Sequence, residues 1–231
     1  MFKTICLAAT AVLLSITLVS AQGSALTRTP APSTPEQDAL IRAGVELHDK
    51  QQYDEAIAKY QEVLKANADN VTAIYELAYS YLEKKDYERV VEAARRGTQY
   101  KSELLPMFYM IIASTFEAKG EPTEAIATYR QGIAADPGSA LLYYNMAITY
   151  REKLRDPTRA RQTLKEAAAI DPQYPAVPLL LGQWFEAEGY RTQAFLTASR
   201  AVILEPSLQA YSLWRRALRD PENPMAVGVM Q

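Results

Sequence analysis

Side chains able to do covalent or metal chemistry are scarce in this chain of 231 residues, which holds one histidine and one cysteine. A zinc site built from His and Cys needs more ligands than that, and the CxxCH motif of haem attachment is absent. The sequence has no GxxxxGK[ST] phosphate loop, no GxGxxG after a strand and no HExxH. His48 falls near the end of a helical stretch, where a Ser–His–Asp arrangement would need a strained nucleophile elbow. It therefore reads as a solvated, half-exposed side chain. The neighbouring carboxylates Asp54 and Glu55 stand where a turn meets a helix start, and the helix dipole accounts for them without acid–base work. No catalytic, cofactor-binding or metal-binding residue is assigned, no cofactor is expected, and the reading is a non-enzymatic protein.

Composition narrows the class further. With 25 Lys and Arg against 27 Asp and Glu, a net charge of −2 and a pI near 5.6, the chain lacks the basic footprint of a nucleic-acid binder. Apolar residues make up 48% and glycine contributes nine positions, which favours a sizeable helical core.

The ends read differently from the middle. Lys3 is followed by an apolar run from Ile5 to Val19 and then by Val19-Ser20-Ala21, the pattern of a signal peptide over 1–21 with cleavage before Gln22. The run falls short of the ~20 residues a membrane span needs, although an uncleaved anchor is the alternative. Cys6 leaves with such a signal, so the mature chain is expected to have no cysteine, no disulfide and no stable membrane span. An exported protein, periplasmic or extracellular, is the corresponding localisation. Residues 22–36 are rich in Pro, Ser and Thr and read as a flexible linker, with a glycosylated stalk as the alternative. Residues 220–231 read as a disordered tail.

Between these ends the chain repeats itself. At a period of 34 or 35 residues, five segments align: 37–70, 71–105, 106–139, 140–174 and 175–208. The first half of each carries apolar residues on one face of a 3.6-residue helix. Its eighth position is always small: Gly44, Ala78, Ala113, Ala147 and Gly182. Two helices cross closely only where a side chain is nearly absent, so a repeated small residue marks a repeated crossing. The second half answers with Ala56, Ala125, Ala160 and Ala194, Val90 being the exception. Asp136-Pro137, Asp171-Pro172 and Glu205-Pro206 end second helices. One extra residue is needed in the turn of the fourth unit, within KLRDPTR. Residues 207–219 then form a last amphipathic helix in which Leu213, Trp214 and Ala217 cover the fifth unit, while Arg215, Arg216 and Arg219 stay wet.

These residues resemble the tetratricopeptide repeat (TPR), a helix–turn–helix unit of 34 residues, over 37–208. The resemblance implies an all-α fold, a right-handed α-solenoid of five TPR units plus a C-terminal capping helix. It also implies a concave groove lined by the first helices, chiefly at positions 2, 5, 9 and 12 of each unit. Carried over, those positions nominate Thr72, Met107 and Leu141, then Ile41, Tyr75, Met110, Tyr144 and Leu179, then Val45, Tyr79, Ser114, Ile148 and Gln183. No Lys or Arg occurs at positions 2, 5 or 9, so a cationic clamp for a terminal carboxylate is not supported. Tyr and Met instead suit an apolar or amphipathic segment. The same residues also suit a buried seam between neighbouring first helices, and both readings stay open.

An acidic recurrence runs beside the groove at Asp49, Glu83, Glu117, Glu152 and Glu186. Lys50, Lys84, Lys119 and Lys153 follow closely and are expected to neutralise most of it, giving a solvated mixed rim, with an acidic lip for a basic partner as the alternative. Net charge by unit runs from −3 in the first to +2 in the fourth. The reading that results is a protein–protein interaction scaffold or adaptor taking a protein or peptide segment, with no nucleic acid. A structural subunit that self-associates through the groove, or an accessory subunit of an envelope enzyme complex, is the alternative.

Overall fold

The computed structural model describes residues 28–219; the segment read as a signal peptide, its expected cleavage point and the segment read as a C-terminal tail lie outside them. Among the described residues there are eleven helices and no strand beyond one isolated bridge. They run α1 (Pro35–Asp49), α2 (Tyr53–Ala66), α3 (Val71–Glu83), α4 (Tyr87–Gly97), α5 (Leu105–Ala118) and α6 (Pro122–Ala135). Then follow α7 (Ala140–Glu152), α8 (Pro157–Ile170), α9 (Ala176–Ala187), α10 (Arg191–Leu204) and α11 (Leu208–Arg219). The fold is an all-α helical repeat.

Local chemistry sets the ends of these helices. Thr34 and Gln37 form a capping box on α1, and the Asn70 carboxamide accepts from the Ala73 amide at 2.9 Å on α3. Pro35, Pro122 and Pro157 open α1, α6 and α8, where an amide would have no partner within the helix. Each pair is joined by a turn containing one left-handed residue: Gln51, Lys85, Gly120, Arg155 and Gly189, with φ of 62°, 60°, 77°, 55° and 79°. The next amide then reaches back to close the first helix, as Asp86 does to the Tyr81 carbonyl at 2.9 Å. In the fourth unit Asp156 bonds the Tyr150 carbonyl, one residue further back, which accommodates the extra residue of KLRDPTR.

The crossings fall at the small residues. Ala78, Ala113, Ala147, Ala56, Ala125, Ala160 and Ala194 are all essentially without exposure, and Val90 is equally buried. A Cβ on Gly44 would lie 2.5 Å from the Tyr60 ring, so glycine there lets tyrosine cross flat against the helix. First helices also touch along the array, α1 on α3, α3 on α5 and α5 on α7, whereas α9 rests on α8. The fifth unit is pinned by charge as well. Glu188 accepts from Arg151 at 2.6 Å and from Arg161 at 2.7 Å, and the Arg151 guanidinium lies 4.6 Å from the Trp184 ring centre.

The last helix caps the array as its apolar face requires. Leu213 is fully buried and would meet a Cβ on Gly182 at 2.7 Å. Arg216 stays exposed on the outer face, as expected, and also forks onto Glu186 of α9 at 2.7 and 2.9 Å. The described part of the segment read as a free linker also differs. Lys101 donates to the Arg28 carbonyl at 2.9 Å, Asn67 to the Pro32 carbonyl at 3.2 Å, and Asn70 to the Ser33 hydroxyl at 3.1 Å. Residues 28–34 thus run as an extended strap across the first two units, where polar side chains at the α2–α3 turn satisfy its backbone.

The crossing at Gly97 gives the sharpest test of this packing. A Cβ there would lie 2.2 Å from the ring of Phe108, which is fully buried and cannot retreat into solvent. Alanine gains about 1 kcal/mol in helix propensity, but overpacking costs about 1–3 kcal/mol and more where the ring cannot move. Gly97→Ala is expected to destabilise the chain by about 1–2 kcal/mol net in urea unfolding. A neutral or stabilising result would contradict the packing.

Candidate functional site

The face formed by α1, α3, α5 and α7 gathers most of the nominated side chains. Ile41 is buried. Val45, Tyr75, Met107, Met110, Ser114, Leu141, Tyr144, Ile148 and Leu179 are half-buried, while Thr72, Tyr79 and Gln183 are exposed. Position 5 therefore contributes to the seam between helices as well as to the surface, and position 9 opens outward at Tyr79 and Gln183. Leu179 and Gln183 belong to α9, outside the set of first helices that pack side by side.

Aromatic stacking organises the N-terminal half of this face. Tyr75 and Tyr79, one helical turn apart on α3, lie nearly parallel with ring centres 6.3 Å apart. His48 continues the stack onto Tyr79 at 5.0 Å, and Tyr53 meets His48 edge-on at 5.1 Å. Tyr75 packs its other side edge-on against Phe108, and Tyr144 does the same against Tyr174. His48 is half-exposed, as its sequence context suggested, but its ring is engaged by neighbours instead of standing free in solvent. Its Nδ1 shares a 2.8 Å hydrogen bond with the buried Ser80 hydroxyl, and its ring is held between two tyrosines.

Polar groups at the floor of the face follow the repeat. At the junction of the third and fourth units, Glu117 accepts from the Tyr129 hydroxyl at 3.4 Å and from the Thr149 hydroxyl. Asn145 there donates to the Leu141 carbonyl at 2.9 Å and contacts the Met110 sulfur at 3.7 Å. Burial, reinforced by Glu117, pushes the Tyr129 hydroxyl well above the ordinary tyrosine range. Burial alone raises Tyr144. Glu117 and Glu186 are therefore engaged by neighbours, and Lys84 and Lys119 pair with Asp54 and Glu121 instead of neutralising the acidic recurrence.

Sequence reasoning missed Glu76. It stands one turn inside α3, at position 6, amid apolar and aromatic residues, and it is half-buried with no hydrogen bond or ion pair among the described residues. A single acid within VTAIYELAYSY was the available signal. Burial, and secondly Asp49, hold its carboxyl above the ordinary carboxylate range.

Residues 44–85 match a family described as TPR repeat, and residues 117–177 one described as tetratricopeptide repeat. With the fold, these matches support a tetratricopeptide-repeat protein. Among solved structures, a thermophilic TPR protein from Thermus thermophilus shares this helical-repeat fold at 21% identity and a TM-score of 0.59. The likeness covers 79% of this chain and 98% of that one. MamA from Desulfovibrio magneticus RS-1 superposes with a TM-score of 0.51 at 16% identity, over 77% and 99% of the two chains. The Hsp70-Hsp90 organising protein of Plasmodium falciparum (isolate 3D7) is 26% identical over 148 residues. That match takes in 60% of this chain but spans a quarter of the relative's length. TPR repeats are generally protein-interaction scaffolds, and nothing in these likenesses indicates catalysis. No described helix is long and apolar enough to cross a membrane.

Glu76 gives the helical array a pH signature. With its carboxyl held above the unfolded value, the folded chain binds that proton more tightly, so stability from this group falls as pH rises through the raised value. Glu76→Gln is expected to raise the melting temperature at about pH 7. That advantage should shrink toward zero below the unfolded carboxyl range, near about pH 3. An equal effect at both pH values would show that ionisation is not the cause.

Proposed function

We propose that this TPR array is an exported scaffold that captures an apolar or amphipathic partner segment along the face of α1, α3, α5 and α7. The observation that carries this reading is the exposed Tyr79, which retains 38% of its surface while Tyr75 and His48 hold its ring in place. A large ring fixed by its neighbours offers contact area without further loss of side-chain freedom on binding. Val45, Met107, Met110 and Ile148 extend the apolar track, and methionine adapts to irregular partners. Positions 2, 5 and 9 lack a cation, so the partner is held by its side chains and not by a terminal carboxylate. The binding is stoichiometric, and export follows from the signal-like segment 1–21.

Tyr75 and Tyr144 pack on Phe108 and Tyr174, so their truncation would also disturb the array; Tyr79 is the cleaner probe. Selection of phage-displayed twelve-residue peptides on the protein is expected to enrich sequences with apolar residues at helical or alternating spacing. Tyr79→Ala should weaken the selected peptides by about tenfold, in keeping with the loss of one aromatic contact, with an unchanged circular dichroism spectrum. Peptides bound equally by the variant would refute this face as the working surface. A discrete oligomer that takes up no peptide would point to self-association instead.

A further inference from the structure

The first and third units place a tyrosine at the same point of their second helices, Tyr60 and Tyr129; the Tyr60 ring lies against Gly44, and Ala113 holds the equivalent position in the third unit. Their hydroxyls meet different fates. Tyr129 donates to Glu117, which Thr149 also engages, and Asn145 beside them is satisfied by Leu141. In the first junction His48 replaces Glu117, Ser80 replaces Thr149 and Glu76 replaces Asn145. His48 spends its Nδ1 on Ser80. Tyr60 is left fully buried with a hydroxyl that no described residue bonds. Glu76 is left half-buried without a partner, and Arg42, at the same position in the first unit, forms no ion pair with it.

These unsatisfied groups belong to one place. Glu76 and Asp49 lie near enough to the Tyr60 hydroxyl to oppose its ionisation, on top of the larger effect of burial. Ser80 offsets this in part, although its own hydroxyl is already engaged by His48. Glu76 acts in the same sense on Tyr75. The neighbourhood therefore has two carboxylates, one orphaned buried hydroxyl, and a wall formed by the Tyr75, Tyr79 and His48 rings. Glu76 and Asp49 have no cation bonded to them among the described residues.

We propose that this corner is a receptor for an arginine side chain of the partner segment, the guanidinium bonding Glu76 and packing against the exposed part of the Tyr79 ring. A carboxylate at the rim of an aromatic wall matches a planar cation that donates as a fork and is weakly hydrated, which an ammonium group does less well. The third junction needs no such ligand, because Glu117 and Asn145 already close the equivalent network within the chain. The inference rests on the groove reading above and adds that the captured segment carries an arginine opposite α3.

The test uses the full chain and two small probes, Nα-acetyl-arginine methylamide and its neutral citrulline counterpart, titrated by nuclear magnetic resonance. Saturable shifts at Tyr75, Tyr79 and His48 are expected with the arginine probe, and binding about tenfold weaker or worse with citrulline. Glu76→Gln should abolish the difference between the two probes, and the exposed Asp49→Asn should weaken arginine binding by about threefold. Equal binding of both probes, or arginine binding unchanged in Glu76→Gln, overturns the proposal. In parallel, selected groove peptides are measured on the Glu76→Gln and Tyr79→Ala proteins. Peptides lost by Tyr79→Ala but indifferent to Glu76→Gln, and without arginine, leave the groove standing and remove the arginine receptor. Arginine-probe binding without any groove peptide removes the groove reading alone.

Discussion

Everything in this array depends on how closely two helices of a unit can cross, and that distance is set by one nearly absent side chain. Where Gly44 or Ala113 occupies the crossing, the ring of Tyr60 or Tyr129 lies flat on the opposing helix and loses nearly all contact with water. The small residue repeats, and the first helices of the first four units pack side by side along the array. Burying a tyrosine also buries its hydroxyl, which costs about 1–3 kcal/mol if no partner is found. Each junction must answer that cost, and how it does so decides what its surface can offer. The third junction answers internally through Glu117 and Thr149. The first leaves the Tyr60 hydroxyl buried, and its half-buried Glu76 stands on the helix that carries the exposed ring of Tyr79.

The architecture was legible because it is written in periodic apolar and small residues, and burial acts on those through distance alone. The eighth-position residues, the alanines that meet them and the extra residue of the fourth turn all lie where the 34-residue spacing puts them. Polar pairing was legible far less well. Adjacency in sequence suggested that Lys84 and Lys119 neutralise the recurring acids, yet a helix turns about 100° per residue, so neighbours point apart. Those lysines reach Asp54 and Glu121 instead. His48 looked like a surface residue because the chain past α1 is polar, but Ser80 and Tyr79, which capture it, come from the next unit. The strap over 28–34 escaped notice for a related reason. Its bonds are made by Asn67 and Asn70, and an extended segment leaves no periodic mark.

Stability and recognition pull against each other at Glu76. An uncompensated carboxylate in an apolar seam weakens the free protein, and the same lack of a partner makes it selective for an incoming cation. The fifth unit shows the opposite solution, with Glu188 bound by two arginines and Glu186 by Arg216. Charge is thus closed off at the C-terminal end of the array and left open at the N-terminal end. A partner laid along the face would meet ring and methionine surfaces throughout, with charge readout concentrated at α1 and α3.

The most direct measurement is a map of backbone amide shifts in the isotope-labelled chain when a selected peptide is added. The account predicts that the largest changes fall on α1, α3, α5 and α7, with Tyr79 and its neighbours foremost. Changes concentrated on α2, α4 and α6, or on the cap helix α11, would contradict the claim that the first helices form the working surface.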